Sequence, residues 1–163
     1  MDFELSKEQQ DIQKAAREFA VGEFREIARD CDLNEEFPRS LLEKAGDLGF
    51  IGVFIDEEYG GAGLGFLEHA LILEGGPWHW PGTLLGKLWG QGIFLFGTEE
   101  QKNKYLPSLT QGEAIMGFAI TEPDAGSDTA SASTKAVLSG NEYVINGSKV
   151  MIGNGSLADF LRD

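Results

Sequence analysis

Residues 117–128, GFAITEPDAGSD, join an apolar run to a turn of small and acidic residues. A strand edge in this stretch presents alternating backbone N–H and C=O groups, which suits the donor and acceptor edge of a flat heterocycle. Thr121 adds a hydroxyl where that strand ends. Beyond it, Gly126 permits close approach of a ligand to the backbone, and its N–H together with the Ser127 hydroxyl suits a phosphate oxygen. Taken alone, the same pattern also describes an ordinary strand and loop.

The remaining chain offers less chemistry. Metal-binding His/Cys spacing, a phosphate-binding P-loop and a G-x-S-x-G elbow are all missing. His69 and His79 have no carboxylate or cysteine company at ligand spacing, so packing or surface roles suit them better than a metal. The single Cys31 excludes an internal disulfide framework and points to a reducing compartment. Trp78, Trp80 and Trp89 have rings able to line a channel, but loop or core packing accounts for them equally well.

Composition sets outer limits. The 163 residues carry 27 Asp plus Glu against 13 Lys plus Arg, a net charge of −14, and 42% are hydrophobic. That length is enough to bury a core. So acidic a balance argues against a nucleic-acid module, because neutralising phosphates takes a concentrated basic surface. The Met-Asp-Phe-Glu start lacks the basic region and apolar core of a signal peptide, and no uncharged stretch approaches the ~18 apolar residues of a membrane span. The expectation is a soluble protein of the cytoplasm or a matrix-type compartment.

Two domains are expected to position the motif. Ser6 with Gln9 forms a capping box, and Ile12, Ala16, Phe19, Ala20 and Ile27 recur at helical steps, predicting one long first helix. A second helix starts near Pro38 and carries Leu41, Leu42, Ala45 and Leu48 before Gly49. Residues 50–55 form a short apolar run ahead of a glycine-rich turn. Helical spacing resumes from Phe66 to the Gly75-Gly76-Pro77 stop and again from Leu84 to Phe96. Thr98 with Gln101 caps a further helix that Pro107 is expected to stop.

After Gly112 the period changes. Residues 114–120, 134–138, 142–145 and 149–152 read as strands joined by turns at Ser139-Gly140-Asn141 and Asn146-Gly147. The predicted class is α+β: an all-α domain over 1–112, then an incomplete antiparallel β-domain over 113–163. So few strands cannot close a barrel or sandwich, and their edges and apolar face need covering by helices, a partner chain or a second copy.

Four groups of residues in one register carry a resemblance. Thr121-Glu122-Pro123, Ala125-Gly126-Ser127-Asp128, Ile145-Asn146-Gly147-Ser148-Lys149 and Asn154-Gly155 resemble the acyl-CoA dehydrogenase family. So do GTEEQKNKYLPSLTQGE at 97–113 and EEYGGAGL at 57–64, so the resemblance spans essentially the whole chain.

The resemblance implies a flavoenzyme with an N-terminal helical domain, a middle β-barrel and a C-terminal helical bundle, usually a tetramer built from dimers. In such an enzyme a carboxylate takes the α-proton of an acyl-CoA thioester while hydride leaves the β-carbon for FAD, giving a trans-2-enoyl-CoA. An electron-transfer acceptor then takes the electrons. By motif position, Phe118, Ile120 and Thr121 would line the isoalloxazine. Gly126 and Ser127 would approach the FAD pyrophosphate, with Ser127 also near the acyl-CoA, and Met151 and Gly153 would belong to a second flavin contact.

Three residues depart from the family pattern. Met151 stands where an aromatic ring is usual, Gly153 where a Thr hydroxyl is usual, and Asp124 puts a negative charge into a loop of small residues. All three point to weaker flavin binding. The family's catalytic Glu belongs to the C-terminal bundle, which is expected to be absent from these 163 residues. Glu122 and Asp128 belong to the loop framework, so no residue here is assigned as base and no metal is assigned. The chain therefore reads as the N-terminal portion of an FAD-dependent acyl-CoA dehydrogenase, inactive alone, assembling as a homo-oligomer or with a completing C-terminal chain. The other reading is a degenerate, non-catalytic interaction or assembly subunit.

Overall fold

A computed structural model describes residues 4–76 and 87–162. Trp78, His79 and Trp80 lie outside the described residues, as does the side chain of Trp89. The chain forms two compact units, Met1–Ile115 and Met116–Asp163.

The first unit is helical. Helix α1 (Lys7–Phe19) starts at the expected capping box: Gln9 N donates to Ser6 Oγ at 3.2 Å and Ser6 N to Gln9 Oε1 at 3.0 Å. It packs on α4 (Phe66–Gly75). A Cβ on Gly75 would lie 2.8 Å from the Gln13 carbonyl and 3.1 Å from Ala16 Cβ, so only glycine lets the two helices approach this closely. Gln9 and Gln13 bridge the same pair, donating at 2.8 Å to Glu68 and Glu74.

The long first helix does not run unbroken to Ile27. A π turn over Ala20–Phe24 follows α1, and a separate α2 (Ala28–Asn34) comes after it. The wider turn keeps both Ala20 and Phe24 buried, with Phe19 edge-on to Phe24 and Phe50 at 5.5 and 5.8 Å. Helix α2 buries nothing and ends at Glu35 in a left-handed conformation.

Helix α3 (Arg39–Asp47) begins directly after Pro38 and buries Leu41, Leu42 and Ala45, as its spacing predicts. Residues 50–55 form successive turns that bury Phe50, Val53 and Ile55. Helix α5 (Lys87–Phe96) packs on α6 (Glu99–Thr110), and Ile55, Tyr59 and Leu106 form a buried cluster with Phe54, Ile93 and Phe94 against it. Thr98 caps α6 as expected, but Pro107 does not stop it. Proline in the last turn forfeits a single helical bond, while Leu106, Leu109 and Thr110 all gain burial by continuing.

The second unit contains β1 (Met116–Phe118), β2 (Lys135–Ser139), β3 (Glu142–Asn146) and β4 (Phe160–Arg162). Strands β2 and β3 form the expected antiparallel hairpin, Ser139 facing Glu142. Gly140, at φ +65°, takes the first central position of its two-residue turn, where a type II′ turn needs positive φ. Every residue of both strands is exposed.

The other pair is parallel: β1 lies beside β4 with Met116 facing Phe160 and Phe118 facing Arg162. The long connection through the hairpin permits a parallel return. The strand expected over 149–152 does not form, because Met151 adopts φ +54° and interrupts the extended backbone.

Candidate functional site

The motif residues collect where β1 ends. Phe118 closes the strand half-buried, Ala119 is buried, Ile120 is 37% exposed and Thr121 half-buried. Glu122 and Ala125 then exchange both backbone hydrogen bonds, at 2.9 and 3.2 Å, with Pro123 and Asp124 as the corner of a tight turn. Proline fits the first corner position because its φ is preset. Gly126 and Ser127 follow the turn directly, both exposed.

A second segment returns to the same strand end. Val150 donates its N–H to the Thr121 carbonyl at 2.9 Å, and Lys149 Nζ donates to the Ile120 carbonyl at 3.2 Å. Met151 follows, 87% exposed. A Cβ on Gly117 would lie 2.5 Å from Leu161 and 3.6 Å from the Gly153 carbonyl, so the backbone at 153 passes close beside β1. Phe118, Ile120 and Thr121 are thus brought beside the segment carrying Met151 and Gly153. Ser127 sits beyond the turn, tied to this group through the backbone alone.

Glu122 is the buried charge of the site, 4% exposed. Its carboxylate accepts from Ser133 N at 2.6 Å, Ser133 Oγ at 2.8 Å and Thr134 N at 3.0 Å, and pairs with Lys149 Nζ at 3.1 Å. Gly147 allows the chain to pass against Thr134, since a Cβ there would fall 2.1 Å from the Thr134 hydroxyl oxygen. The hydrogen bonds from the Thr134 and Ser133 stretch hold the Glu122 carboxyl well below the usual carboxylate range. Four donors fill the acceptor sites of a carboxylate, so Glu122 is suited to framework duty and poorly suited to taking a proton from a ligand.

The pair Glu122–Lys149 is the feature that sequence reading did not find. The two lie 27 positions apart, and their signal in the sequence is membership of two motifs in one register.

Open backbone and exposed apolar side chains lie close together at this strand end. A Cβ at either Gly126 or Gly153 would meet nothing within 4 Å, so both backbones are open to close approach. Ile120 and Met151 offer exposed apolar surface nearby. Asp124 is exposed at the turn corner beside Gly126 and opposes an anion there.

Comparison with known proteins agrees over nearly the whole chain. The family model for the acyl-CoA dehydrogenase N-terminal domain matches residues 6–113, and that for the acyl-CoA dehydrogenase middle domain matches residues 117–161. A short-chain specific acyl-CoA dehydrogenase of Clostridium acetobutylicum is 42% identical over 98% of this chain and 43% of its own length. Butyryl-CoA dehydrogenase from Megasphaera elsdenii superposes with a TM-score of 0.88 at 32% identity, covering 99% of this chain and 45% of that one. An acyl-CoA dehydrogenase from Bacillus anthracis, solved in complex with FAD, superposes at 0.87 with 39% identity, over 96% of this chain and 28% of that one. The chain thus spans less than half the length of the proteins it matches. With two consecutive family domains matched in order, the chain belongs to the acyl-CoA dehydrogenase family.

Proposed function

We propose that this chain is the N-terminal part of an FAD-dependent acyl-CoA dehydrogenase, acting in α,β-dehydrogenation of an acyl-CoA thioester to a trans-2-enoyl-CoA. The observation that carries the reading is the consecutive match of both domain models, with the flavin-motif strand, turn and return segment assembled at the end of β1. Residues 1–112 supply the helical domain and 113–163 the first part of the middle domain.

FAD, when bound, supplies the hydride acceptor. Phe118, Ile120 and Met151 would pack against its ring, and Thr121 with neighbouring backbone groups would bond its polar edge. Gly126 and Ser127 would hold its pyrophosphate, Ser127 would also lie near the acyl-CoA, and Gly153 would belong to the second ring contact without a side chain to offer. Proton abstraction needs a base with a free acceptor site. Glu122 has none left, since its four donors occupy it. The family resemblance assigns the base to a C-terminal bundle and none of the carboxylates in these 163 residues to that role, so the chain alone is expected to be inactive. The setting is cytoplasmic, with an electron-transfer acceptor downstream and assembly through a second copy or a completing C-terminal chain.

The test is direct. The purified chain is titrated with FAD and its visible spectrum recorded, then a saturated acyl-CoA is added anaerobically. Uptake of FAD without substrate-dependent bleaching is expected. Bleaching would overturn the inactivity, and a protein that takes up no FAD would favour the second reading, a non-catalytic assembly subunit. Met151 at φ +54°, the missing side chain at Gly153 and the fully exposed β2–β3 hairpin favour that second reading.

A further inference from the structure

We infer that Lys149 and Glu122 are positioning residues: their buried ion pair clasps the two halves of the flavin site together. The inference rests on the FAD reading above for its purpose, and on geometry for its existence. Lys149 Nζ bridges the Glu122 carboxylate at 3.1 Å and the Ile120 carbonyl at 3.2 Å, so one ammonium group holds both the turn and the strand end. Its own backbone leads directly to Val150, bonded to Thr121 at 2.9 Å, and then to Met151.

Glu122 in turn opens the turn that presents Gly126 and Ser127, and it anchors Ser133 and Thr134 through two backbone N–H donors and the Ser133 hydroxyl. The pair therefore links three stretches at one point: the strand end at 120–121, the turn leading to 126–127, and the segment 149–153. Lys149 and Glu122 side chains are 17% and 2% exposed. Ion pairs this buried are poor stabilisers compared with apolar packing, since desolvation offsets most of the attraction, and their best-attested use is to specify one arrangement. Here the arrangement specified is the register of the 149–153 segment on β1.

Met151 makes that register consequential. Its left-handed backbone is uncommon for a non-glycine residue, and the attachment immediately before it is that of Lys149 and Val150. Releasing Lys149 frees Met151 and Gly153 to leave the face formed by Ile120 and Thr121. Both charges belong to the second unit.

Hydrogen exchange and FAD titration of the whole chain test this. In Lys149→Met, amides of Val150, Glu122 and Ala125 are expected to lose protection together by about tenfold or more, the change matching loss of one charge-assisted hydrogen bond, while β2–β3 amides keep theirs. FAD affinity is expected to fall by a similar factor, and Lys149→Arg, which keeps the charge, to recover most of both. Should Lys149→Met not fold, Glu122→Gln/Lys149→Met removes both charges and asks the same question.

Wild-type exchange in both segments of Lys149→Met, or of Glu122→Gln/Lys149→Met, would overturn the clasp. Equal loss across the hairpin would also overturn it, in favour of general stabilisation. If the wild-type chain takes up no FAD, the flavin reading falls alone, because the exchange pattern still decides whether the pair holds the segments.

Discussion

The backbone N–H of Val150 meets the carbonyl of Thr121 at 2.9 Å, joining the end of β1 to a segment that lies beyond an entire intervening hairpin. That bond brings two motif segments that are remote in sequence into one place.

Glu122 makes the second unit acid-sensitive. Its carboxyl is held below its usual 4.5 in the folded chain, so its contribution to stability is present above that value and lost as pH falls toward the folded one. The urea midpoint followed by circular dichroism is expected to drop between about pH 5 and pH 3. Glu122→Gln should lower the midpoint at neutral pH and flatten this acid dependence; an equally steep dependence in the variant would remove Glu122 as its source.

Leu106 is fully buried between Ile55 and Tyr59 at the centre of the helical unit. Leu106→Ala is expected to cost about 2–5 kcal/mol, from lost transfer energy and the cavity left behind. Chemical denaturation of the helical signal measures it, and a loss below ~1 kcal/mol would mean that the neighbouring side chains collapse into the space.

Tyr59 donates its hydroxyl to Glu99 Oε2 at 2.6 Å, and this bond, with burial and the nearby Glu58 charge, pushes the phenol up to about 12. The raised value favours the protonated phenol in the folded state. Its contribution is therefore complete below the unfolded value of 10.0 and is lost as pH rises toward about 12. Ultraviolet titration should show a late tyrosine ionisation, and Tyr59→Phe should abolish that late phase.

Gly153 stands in open space and in an ordinary negative-φ conformation, so a side chain there meets neither a clash nor left-handed strain. Gly153→Thr is expected to add one hydrogen bond to bound flavin and tighten FAD by up to about tenfold, read by flavin fluorescence titration. Asp124→Asn should also tighten it, with a gain that shrinks as salt rises because the removed repulsion is screened. Unchanged affinity in Gly153→Thr would place the flavin elsewhere.

Where a feature depends on neighbours in the chain, the sequence is a sufficient guide. The capping boxes at Ser6 and Thr98, the helix after Pro38 and the hairpin turn at Gly140 each rest on residues within four positions of one another. Misreadings arise where burial outweighs local preference. Pro107 is tolerated inside α6 because Leu109 and Thr110 are worth burying, and the helix after Phe19 widens into a π turn that keeps both Ala20 and Phe24 inside. Residues 149–152 have strand composition, yet Met151 turns left-handed under long-range attachment.

The sequence by itself determined the family register, the α+β class and the division of labour between helices and hairpins, since these follow from residue type, period and turn chemistry. Only the tertiary structure decided that β1 pairs with β4 in parallel and that Lys149 reaches Glu122 and Ile120. It also decided that Glu122 is saturated as a framework carboxylate. The physical reason is distance along the chain: hydrogen bonds and charges act across a few ångströms of space, and spacing in sequence does not encode which remote donor will arrive at a buried carboxylate.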